Sequence, residues 1–170
     1  MQLESVAVIG GGAWGTALAQ AAVMAGRGTR LVVRTAEQAE AINRDHVNVQ
    51  ALPGQSLLPG LVATDRLEPA DIVILAVPAQ STRTLLSGLD PEMLAGRPVV
   101  LSAKGLETGT LARQSEILID MAPEAIPFVL SGPSFATDLA AGRPTAVTLA
   151  GDDASDTSAL AAALAGPSFR

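Results

Sequence analysis

The stretch Ser5-Val-Ala-Val-Ile-Gly-Gly-Gly-Ala-Trp-Gly-Thr-Ala-Leu-Ala19 decides the fold of this chain. The apolar residues 6–9 predict a buried strand, the three consecutive glycines predict a turn, and the alanine-rich segment that follows predicts a helix. Gly10, Gly12 and Gly15 form the pattern G-x-G-x-x-G within this unit. That pattern, placed between a strand and a helix, is typical of a dinucleotide-binding turn.

Each glycine of the pattern has a separate task. Gly10 permits the tight turn, Gly12 lets the backbone approach a pyrophosphate, and Gly15 lets the helix pack closely on the strand. The helix that opens near Trp14 presents unpaired N–H groups and the positive end of its dipole to an anion. Because the pattern alone is weak evidence, the strand before it and the helix after it carry the prediction of a nucleotide site.

Composition restricts the classes of function. The chain has 170 residues, of which 48% are hydrophobic and only 2% aromatic. One core built from Ala, Val, Leu and Ile is therefore expected, which suits a parallel sheet covered by helices.

A net charge of −6 argues against binding to nucleic acid. The sequence contains no cysteine, which excludes disulfides and thiolate metal sites and fits a reducing, cytoplasmic location.

Neither a metal site nor a membrane anchor is predicted. The single histidine, His46, lies in a polar stretch and is interpreted as an ordinary loop or helix-end residue, which argues against a Ser-His-Asp triad and a histidine metal site. Residues 5–26 carry no charge, but the glycines divide them into a strand and a helix. Glu4 stands where a signal peptide would be basic. We therefore expect a soluble, untargeted chain.

Strand and helix signals alternate along the rest of the chain. Alternation of this kind predicts βαβ units and an α/β fold, with a doubly wound, mostly parallel Rossmann-like sheet and helices on both faces. A surface loop is predicted between residues 43 and 71, and the start of another strand at residues 166–170. The predicted strands are 6–9, 29–33, 71–77, 99–102, 128–130 and 146–149, and the predicted helices are 14–25, 36–43, 80–87, 111–121, 135–141 and 153–165.

In such sheets the ligand lies beyond the carboxyl ends of the strands, where two groups of residues are candidates for cofactor binding. The first is the glycine turn with Ala13 and Trp14, whose indole either covers the pyrophosphate region or packs on a neighbouring loop. The second is Arg34, which follows the second strand where an NAD-specific domain usually has Asp or Glu. A guanidinium can bind a 2′-phosphate in bidentate fashion, so NADPH is favoured over NADH. The alternative is a solvated arginine.

Two further groups are candidates for binding a substrate. Lys104 follows a buried strand beside a flexible glycine and can reach a phosphate or a substrate oxygen; the alternative is a surface lysine. In Ser131-Gly-Pro-Ser134, Gly132 can bring the backbone close to a ligand. Ser134 can cap the next helix while its backbone N–H faces an anion. The alternative is a simple helix-entry turn.

Four motifs, in this order and spacing, resemble the bacterial NAD(P)-dependent glycerol-3-phosphate dehydrogenases. They are Gly10-Gly-Gly-Ala-Trp-Gly-Thr-Ala-Leu-Ala19, Leu75-Ala-Val-Pro78, Ala103-Lys-Gly-Leu-Glu107 and Ser131-Gly-Pro-Ser-Phe-Ala136. The resemblance extends from the first strand to Arg170. It implies an oxidoreductase that interconverts dihydroxyacetone phosphate and sn-glycerol 3-phosphate and thereby supplies a precursor of phospholipids.

The resemblance also implies roles for individual residues. Lys104 would contact both the cofactor and the substrate, and the glycine turn would hold the pyrophosphate. The implied cofactor-binding residues are Gly10, Gly12, Ala13, Trp14, Gly15, Arg34, Lys104 and Ala136, and the implied substrate-binding residues are Lys104, Gly132 and Ser134.

By the same resemblance, residues 1–170 form the dinucleotide-binding domain, and a second, helical domain with the catalytic lysine would begin beyond Arg170. No catalytic residue is assigned within this chain, which we expect to bind NADPH but to turn over little alone. The full-length protein could be a homodimer. Two alternatives stay open: a stand-alone NADP-binding or sensing module without catalysis, and the Rossmann domain of another two-domain reductase acting on hydroxy acids or phosphorylated substrates.

Overall fold

A computed structural model describes residues 3–170 of the chain. Within these residues strands and helices alternate, as predicted, with short 3₁₀ turns at Ala79–Ser81 and Pro91–Met93. The strands are β1 (Ser5–Ile9), β2 (Gly28–Val32), β3 (Leu61–Thr64), β4 (Ile72–Leu75), β5 (Pro98–Leu101), β6 (Ile126–Ser131) and β7 (Thr148–Ala150). The α-helices are α1 (Ala13–Met24), α2 (Ala36–Asp45), α3 (Thr82–Ser87), α4 (Gln114–Met121), α5 (Ala136–Ala140) and α6 (Ala154–Leu164).

All seven strands form one sheet in the order β3-β2-β1-β4-β5-β6-β7. The first six strands are parallel, and β7 pairs with β6 in the antiparallel direction. The central strand β1 lies between β2 and β4, so that Val8 is opposite both Leu31 and Ile74. The strand order reverses at β1, and a doubly wound sheet binds its ligands at the carboxyl edge beside such a reversal. The predicted fold class is confirmed.

Two apolar layers cover the two faces of the sheet. Successive side chains of a strand point to opposite faces, and β4 shows this clearly. Ile74 joins a core formed with α1, α5 and α6, whereas Val73 joins a second core formed with α3 and α4. On the first face α1 packs against α5 through small side chains such as Ala17 and Ala21, both of which are buried. The start of α1 follows directly after the end of β1.

The predicted surface loop between residues 43 and 71 is wrong in part, because it contains the edge strand β3. This strand pairs in parallel with β2, Thr29 opposite Leu61. The side chain of Asn43, near the end of α2, also bonds both backbone groups of Ala63, accepting from its N–H at 2.7 Å and donating to its carbonyl oxygen at 2.9 Å. Four residues next to a Pro-Gly pair carry too little periodicity to be identified as a strand.

Other boundaries also differ from the prediction. The helix predicted from residue 111 begins only at Gln114, because Leu111 has a left-handed backbone with φ of 59°. The predicted strand at the end of the chain reduces to a single bridge between Thr145 and Phe169. His46 ends α2 in a left-handed conformation, which confirms the helix-end interpretation.

None of the helices in the described part of the chain has the length and apolar character needed to cross a membrane.

Candidate functional site

The glycine turn joins β1 to α1 at the carboxyl edge of the sheet. Gly10 has a φ of +124°, and a methyl group added there would lie 2.6 Å from the carbonyl oxygen of Ala76. A methyl group on Gly15 would lie only 1.9 Å from the carbonyl oxygen of Gly10. The close turn and the close packing of α1 on β1 therefore both require glycine, as the sequence predicts.

Gly12 differs from the other glycines of the pattern. Its backbone is extended, with φ of −75° and ψ of 177°, and an added methyl group would meet nothing within 4 Å. Gly12 precedes α1, and no side chain caps that helix. The first N–H groups of a helix have no partner within it and attract anions. The open space beside Gly12 thus lies at an uncapped helix start that fits a phosphate group.

A cleft of about 1220 Å³ extends from the glycine turn across the ends of β1, β2 and β3. Arg34 and Thr35, which follow β2, line this cleft together with Asp65 and Arg66, which follow β3. Arg34 is exposed and takes part in none of the ion pairs found within residues 3–170. Its guanidinium is therefore available to an anionic ligand in the cleft.

Glu37, the nearest carboxylate after Arg34 along the chain, borders the same cleft. Hydrogen bonds from its own backbone N–H and from the Thr35 hydroxyl hold the pKa of Glu37 below its ordinary value. The Thr35 hydroxyl also accepts a hydrogen bond of 3.2 Å from Gln38 N–H and so caps α2. Glu37 thus lies in the first turn of α2, at the border of the larger cleft.

A smaller cleft of about 480 Å³ continues from the glycine turn in the other direction and reaches Lys104. The two clefts share Gly12 and Ala13, so an extended ligand that occupied both would pass the start of α1. Of the predicted site residues, the smaller cleft brings together Gly12, Ala13, Trp14, Lys104, Ser134 and Ala136.

Lys104 and Gly132, which come from separate loops, are in direct contact. The Lys104 Nζ donates a hydrogen bond of 3.0 Å to the carbonyl oxygen of Gly132. Gly132 is not open to the cleft on its Cα side, because an added methyl group would lie 3.0 Å from the Cα of Val147. The backbone of Gly132 therefore packs against the segment before β7 and presents its carbonyl group to the lysine.

The prediction that Ser134 caps the following helix is wrong. The residue that precedes α5 is Phe135, and no side chain caps this helix. The backbone N–H of Ser134 is also engaged, since it donates to the carbonyl oxygen of Gly132 at 3.1 Å, and so it does not face an anion. Ser134 still lines the smaller cleft, to which it can offer its hydroxyl group.

Trp14 and Ala136 lie where α1 and α5 meet the smaller cleft. Both are partly buried and pack against the core on one side while they line the cleft on the other. Trp14 therefore packs on the core and also borders the smaller cleft, while its contact with a pyrophosphate stays a prediction. Phe135, between Ser134 and Ala136, is 71% exposed at the cleft border.

The loop that carries Lys104 is held by side chains that lie outside the predicted motifs. Gln80 donates to the carbonyl oxygen of Leu106 and accepts from Thr108 N–H, both at 2.8 Å. The buried Gln114 donates to the carbonyl oxygen of Gly105 at 3.1 Å. Only the folded chain brings these partners together, because the Gln80 contacts join residues 26 and 28 positions apart.

Arg83 also stabilises the Lys104 loop, because it forms an ion pair with Glu107. Two of its nitrogens bond the two carboxylate oxygens at 2.8 and 3.1 Å, and a third reaches Asp120 at 2.6 Å. The hydrogen bonds from Arg83 and Thr110 hold the pKa of Glu107 below its ordinary value. Glu107 closes the quoted Ala103–Glu107 motif, but its partner Arg83 is on α3 and could not be identified from the motif.

A second support, Asn48, holds the glycine turn. Its side chain is only 2% exposed and donates hydrogen bonds of 2.9 Å to the carbonyl oxygen of Gly11 and to the hydroxyl of Thr16. In the sequence Asn48 is one of several polar residues near His46, and nothing distinguishes it from its neighbours.

Comparison with known proteins agrees with this arrangement. The family model described as the N-terminus of NAD-dependent glycerol-3-phosphate dehydrogenase matches residues 5–157. A glycerol-3-phosphate dehydrogenase (NAD(P)+) of Rhodospirillum rubrum is 48% identical over 172 aligned positions, which cover 99% of this chain and 49% of that protein. For the corresponding protein of Azorhizobium caulinodans the identity is 45% over 170 positions, with 98% of this chain and 52% of that protein covered.

The crystal structure of glycerol-3-phosphate dehydrogenase from Coxiella burnetii has the same fold, with a TM-score of 0.88 and 29% sequence identity. The match covers 98% of this chain and 52% of that one. The chain thus spans about half the length of the relatives that it matches. The glycine turn, the two clefts and these matches together identify the chain as a member of the NAD-dependent glycerol-3-phosphate dehydrogenase family, whose N-terminal part it matches.

Proposed function

We propose that this chain is the cofactor-binding part of an oxidoreductase that interconverts dihydroxyacetone phosphate and sn-glycerol 3-phosphate by hydride transfer with NAD(P)H. One observation carries the proposal: two clefts meet at an uncapped helix start whose Gly12 leaves open space for a ligand. The names of the relatives, glycerol-3-phosphate dehydrogenase (NAD(P)+), supply the reaction.

The residues around the larger cleft fit a dinucleotide. The pyrophosphate lies against Gly12 and the N–H groups at the start of α1, where the helix dipole stabilises negative charge. Gly10 and Gly15 keep this turn compact. The adenosine end extends along the larger cleft toward Arg34, and the nicotinamide end extends into the smaller cleft, beside Ala13, Trp14 and Ala136.

The preferred cofactor in this proposal is NADPH. The exposed guanidinium of Arg34 is matched to the two oxygens of a 2′-phosphate, and bidentate pairing makes such a contact strong. Glu37, the acidic residue that could instead recognise a ribose 2′-hydroxyl, lies three positions after Arg34, in the first turn of α2. Because NADH has no 2′-phosphate to pair with Arg34, it is expected to bind more weakly.

The substrate occupies the smaller cleft, beside Lys104 and Ser134, while Gly132 contributes through its carbonyl group, which binds Lys104. When it is bound, the nicotinamide supplies the hydride. The Lys104 ammonium attracts a phosphate or stabilises the negative charge that develops on a substrate oxygen. In this proposal residues 1–170 form the dinucleotide-binding domain, and a lysine of a second, helical domain donates the proton.

Titration of the purified chain with NADPH tests the proposal. Trp14 is the only tryptophan of the sequence and lines the smaller cleft, so its fluorescence should change and saturate as the cofactor binds. A chain that bound neither NADPH nor NADH at millimolar concentration would contradict the proposal. In the full-length protein, sn-glycerol 3-phosphate should reduce NADP+ stoichiometrically, while the isolated chain should bind the cofactor with little turnover.

A further inference from the structure

The peptide group between Gly11 and Gly12 is the part of the glycine turn that faces both the protein and the open space beside α1. Glycine lacks a Cβ and adopts a wide range of backbone angles, so a peptide group between two glycines can turn over with little steric resistance. Its orientation therefore depends on contacts from outside the turn.

Asn48 supplies such a contact. The carbonyl oxygen of Gly11 can only accept a hydrogen bond, and the amide nitrogen of Asn48 donates to it at 2.9 Å. The same nitrogen donates to the hydroxyl of the fully buried Thr16 at 2.9 Å. With its side chain 2% exposed and both N–H groups engaged, Asn48 is fixed against the turn.

The hydrogen bond from Asn48 to the Gly11 carbonyl group also determines the orientation of the Gly12 N–H group. The C=O and N–H groups of a planar trans peptide point in opposite directions. With the carbonyl oxygen directed at Asn48, the Gly12 N–H points away from that loop. Gly12 lines both clefts, and open space lies next to it.

We propose that Asn48 is a positioning residue for the cofactor: it holds the Gly11–Gly12 peptide group so that the Gly12 N–H faces the cofactor's pyrophosphate. This inference rests on the proposed function, since it takes a dinucleotide as the ligand of the glycine turn. Asn48 borders the larger cleft, and in this proposal it acts on the cofactor through the backbone of the turn. Its removal frees the peptide group to turn over and to direct a carbonyl oxygen toward a phosphate, which repels it.

Gln20 provides a matched control within the same fold. Like Asn48 it is a buried amide, 4% exposed, and it makes two hydrogen bonds to the same loop, with Ser56 O at 3.3 Å and Leu58 N at 2.9 Å. These contacts tie the loop to α1 without involving the glycine turn. Gln20→Ala should therefore destabilise the loop to a similar extent and leave the Gly11–Gly12 peptide group in place.

The test measures NADPH binding through Trp14 fluorescence, together with urea unfolding, for the wild-type chain, Asn48→Ala and Gln20→Ala. We expect Asn48→Ala to raise the dissociation constant by roughly five- to tenfold, as for the loss of one oriented hydrogen bond. Gln20→Ala should change it by less than about twofold. If Asn48→Ala does not fold, Asn48→Asp, which keeps the side-chain volume and removes the donor, should weaken binding at least as much.

Equal dissociation constants for the wild-type chain and a folded Asn48 variant would overturn the inference. So would equal losses of affinity in Asn48→Ala and Gln20→Ala, because the effect would then follow loop stability alone. If the wild-type chain itself failed to bind NADPH or NADH, the proposed function would fail first and the inference with it. The two failures are therefore distinguishable.

Discussion

The ammonium group of Lys104 donates a hydrogen bond of 3.0 Å to the carbonyl oxygen of Gly132. This bond connects the loop after β5 with the turn after β6, and both lie at the carboxyl edge of the sheet. Lys104 is exposed, so the bond contributes little to the stability of the fold. It does bring together two residues that the sequence analysis assigned to substrate binding.

Replacement of Lys104 tests whether its charge serves the ligand. Lys104→Met should weaken NADPH binding by roughly tenfold, because a charge-assisted hydrogen bond to the ligand is lost. Lys104→Arg keeps the charge and should retain most of the affinity. Trp14 fluorescence titrations give the dissociation constants, and urea unfolding should show nearly equal stability for the three proteins. Unchanged affinity in Lys104→Met would exclude Lys104 from the cofactor site.

Alanine substitutions at two glycines should separate folding from ligand binding. Gly15→Ala places a methyl group against the Gly10 carbonyl oxygen and should lower the free energy of unfolding by about 3 kcal/mol. Gly12→Ala faces open space and should change it by no more than about 1 kcal/mol, but should reduce NADPH binding severely, because the methyl group would occupy the position proposed for the pyrophosphate. Urea unfolding and fluorescence titration of both variants check this prediction. Tight NADPH binding by Gly12→Ala would show that the pyrophosphate does not lie against this residue.

Arg34 should determine the preference between the two cofactors. Arg34→Ala should raise the dissociation constant of NADPH by roughly 10- to 100-fold, the effect of losing a bidentate pair with a phosphate. The constant for NADH should change by less than about twofold, since NADH has no 2′-phosphate.

A matched control for Arg34→Ala is Arg143→Ala, which removes the same charge from a residue paired with Asp138 outside both clefts. It should leave both constants unchanged. Equal losses for NADPH and NADH in Arg34→Ala would contradict a role in binding the 2′-phosphate.

Acidic pH should weaken the ion pair between Arg83 and Glu107, which stabilises the Lys104 loop. The pKa of Glu107 is held below its ordinary value near 4.5, first by Arg83 and then by Thr110. A carboxyl group whose pKa is lowered by folding adds stability above its unfolded pKa and loses that contribution as the pH falls through the lowered value. Urea unfolding of the wild-type chain should therefore show falling stability over this acidic range.

Glu107→Gln provides the comparison, because it keeps the shape of the side chain and removes its titration. Its stability should be lower than that of the wild-type chain at neutral pH and should depend less on pH below about 4.5. Parallel pH profiles for the two proteins would show that the Arg83–Glu107 pair contributes nothing measurable to folding.

Much of the fold could be predicted from the sequence, because its strongest signals are local. The buried run of β4 and the glycines after β1 depend on neighbouring residues only, and both were predicted correctly. The edge strand β3 was missed because pairing with β2 and the bonds to Asn43 stabilise it. These partners come from elsewhere in the chain.

The site residues follow the same distinction between local signals and contacts with distant residues. Lys104 and Gly132 were singled out from separate motifs, and the structure places them in contact. Asn48 and Arg83 were not singled out, since each acts through a partner more than 20 residues away. The capping role predicted for Ser134 failed because α5 begins later than expected, and its backbone N–H turns back to Gly132.

Because β1 lies between β2 and β4 in the sheet, it is synthesised before both of its partner strands. Its final neighbour β4 emerges long after it, since Ser5 and its partner Asp71 are 66 residues apart. At typical translation rates this interval takes roughly 3–13 seconds. During that time one edge of an apolar strand has no partner, and such an edge can pair with other chains. Aggregation of newly made protein should therefore be most sensitive to polar substitutions in β1, and chaperones should engage the nascent chain in this interval.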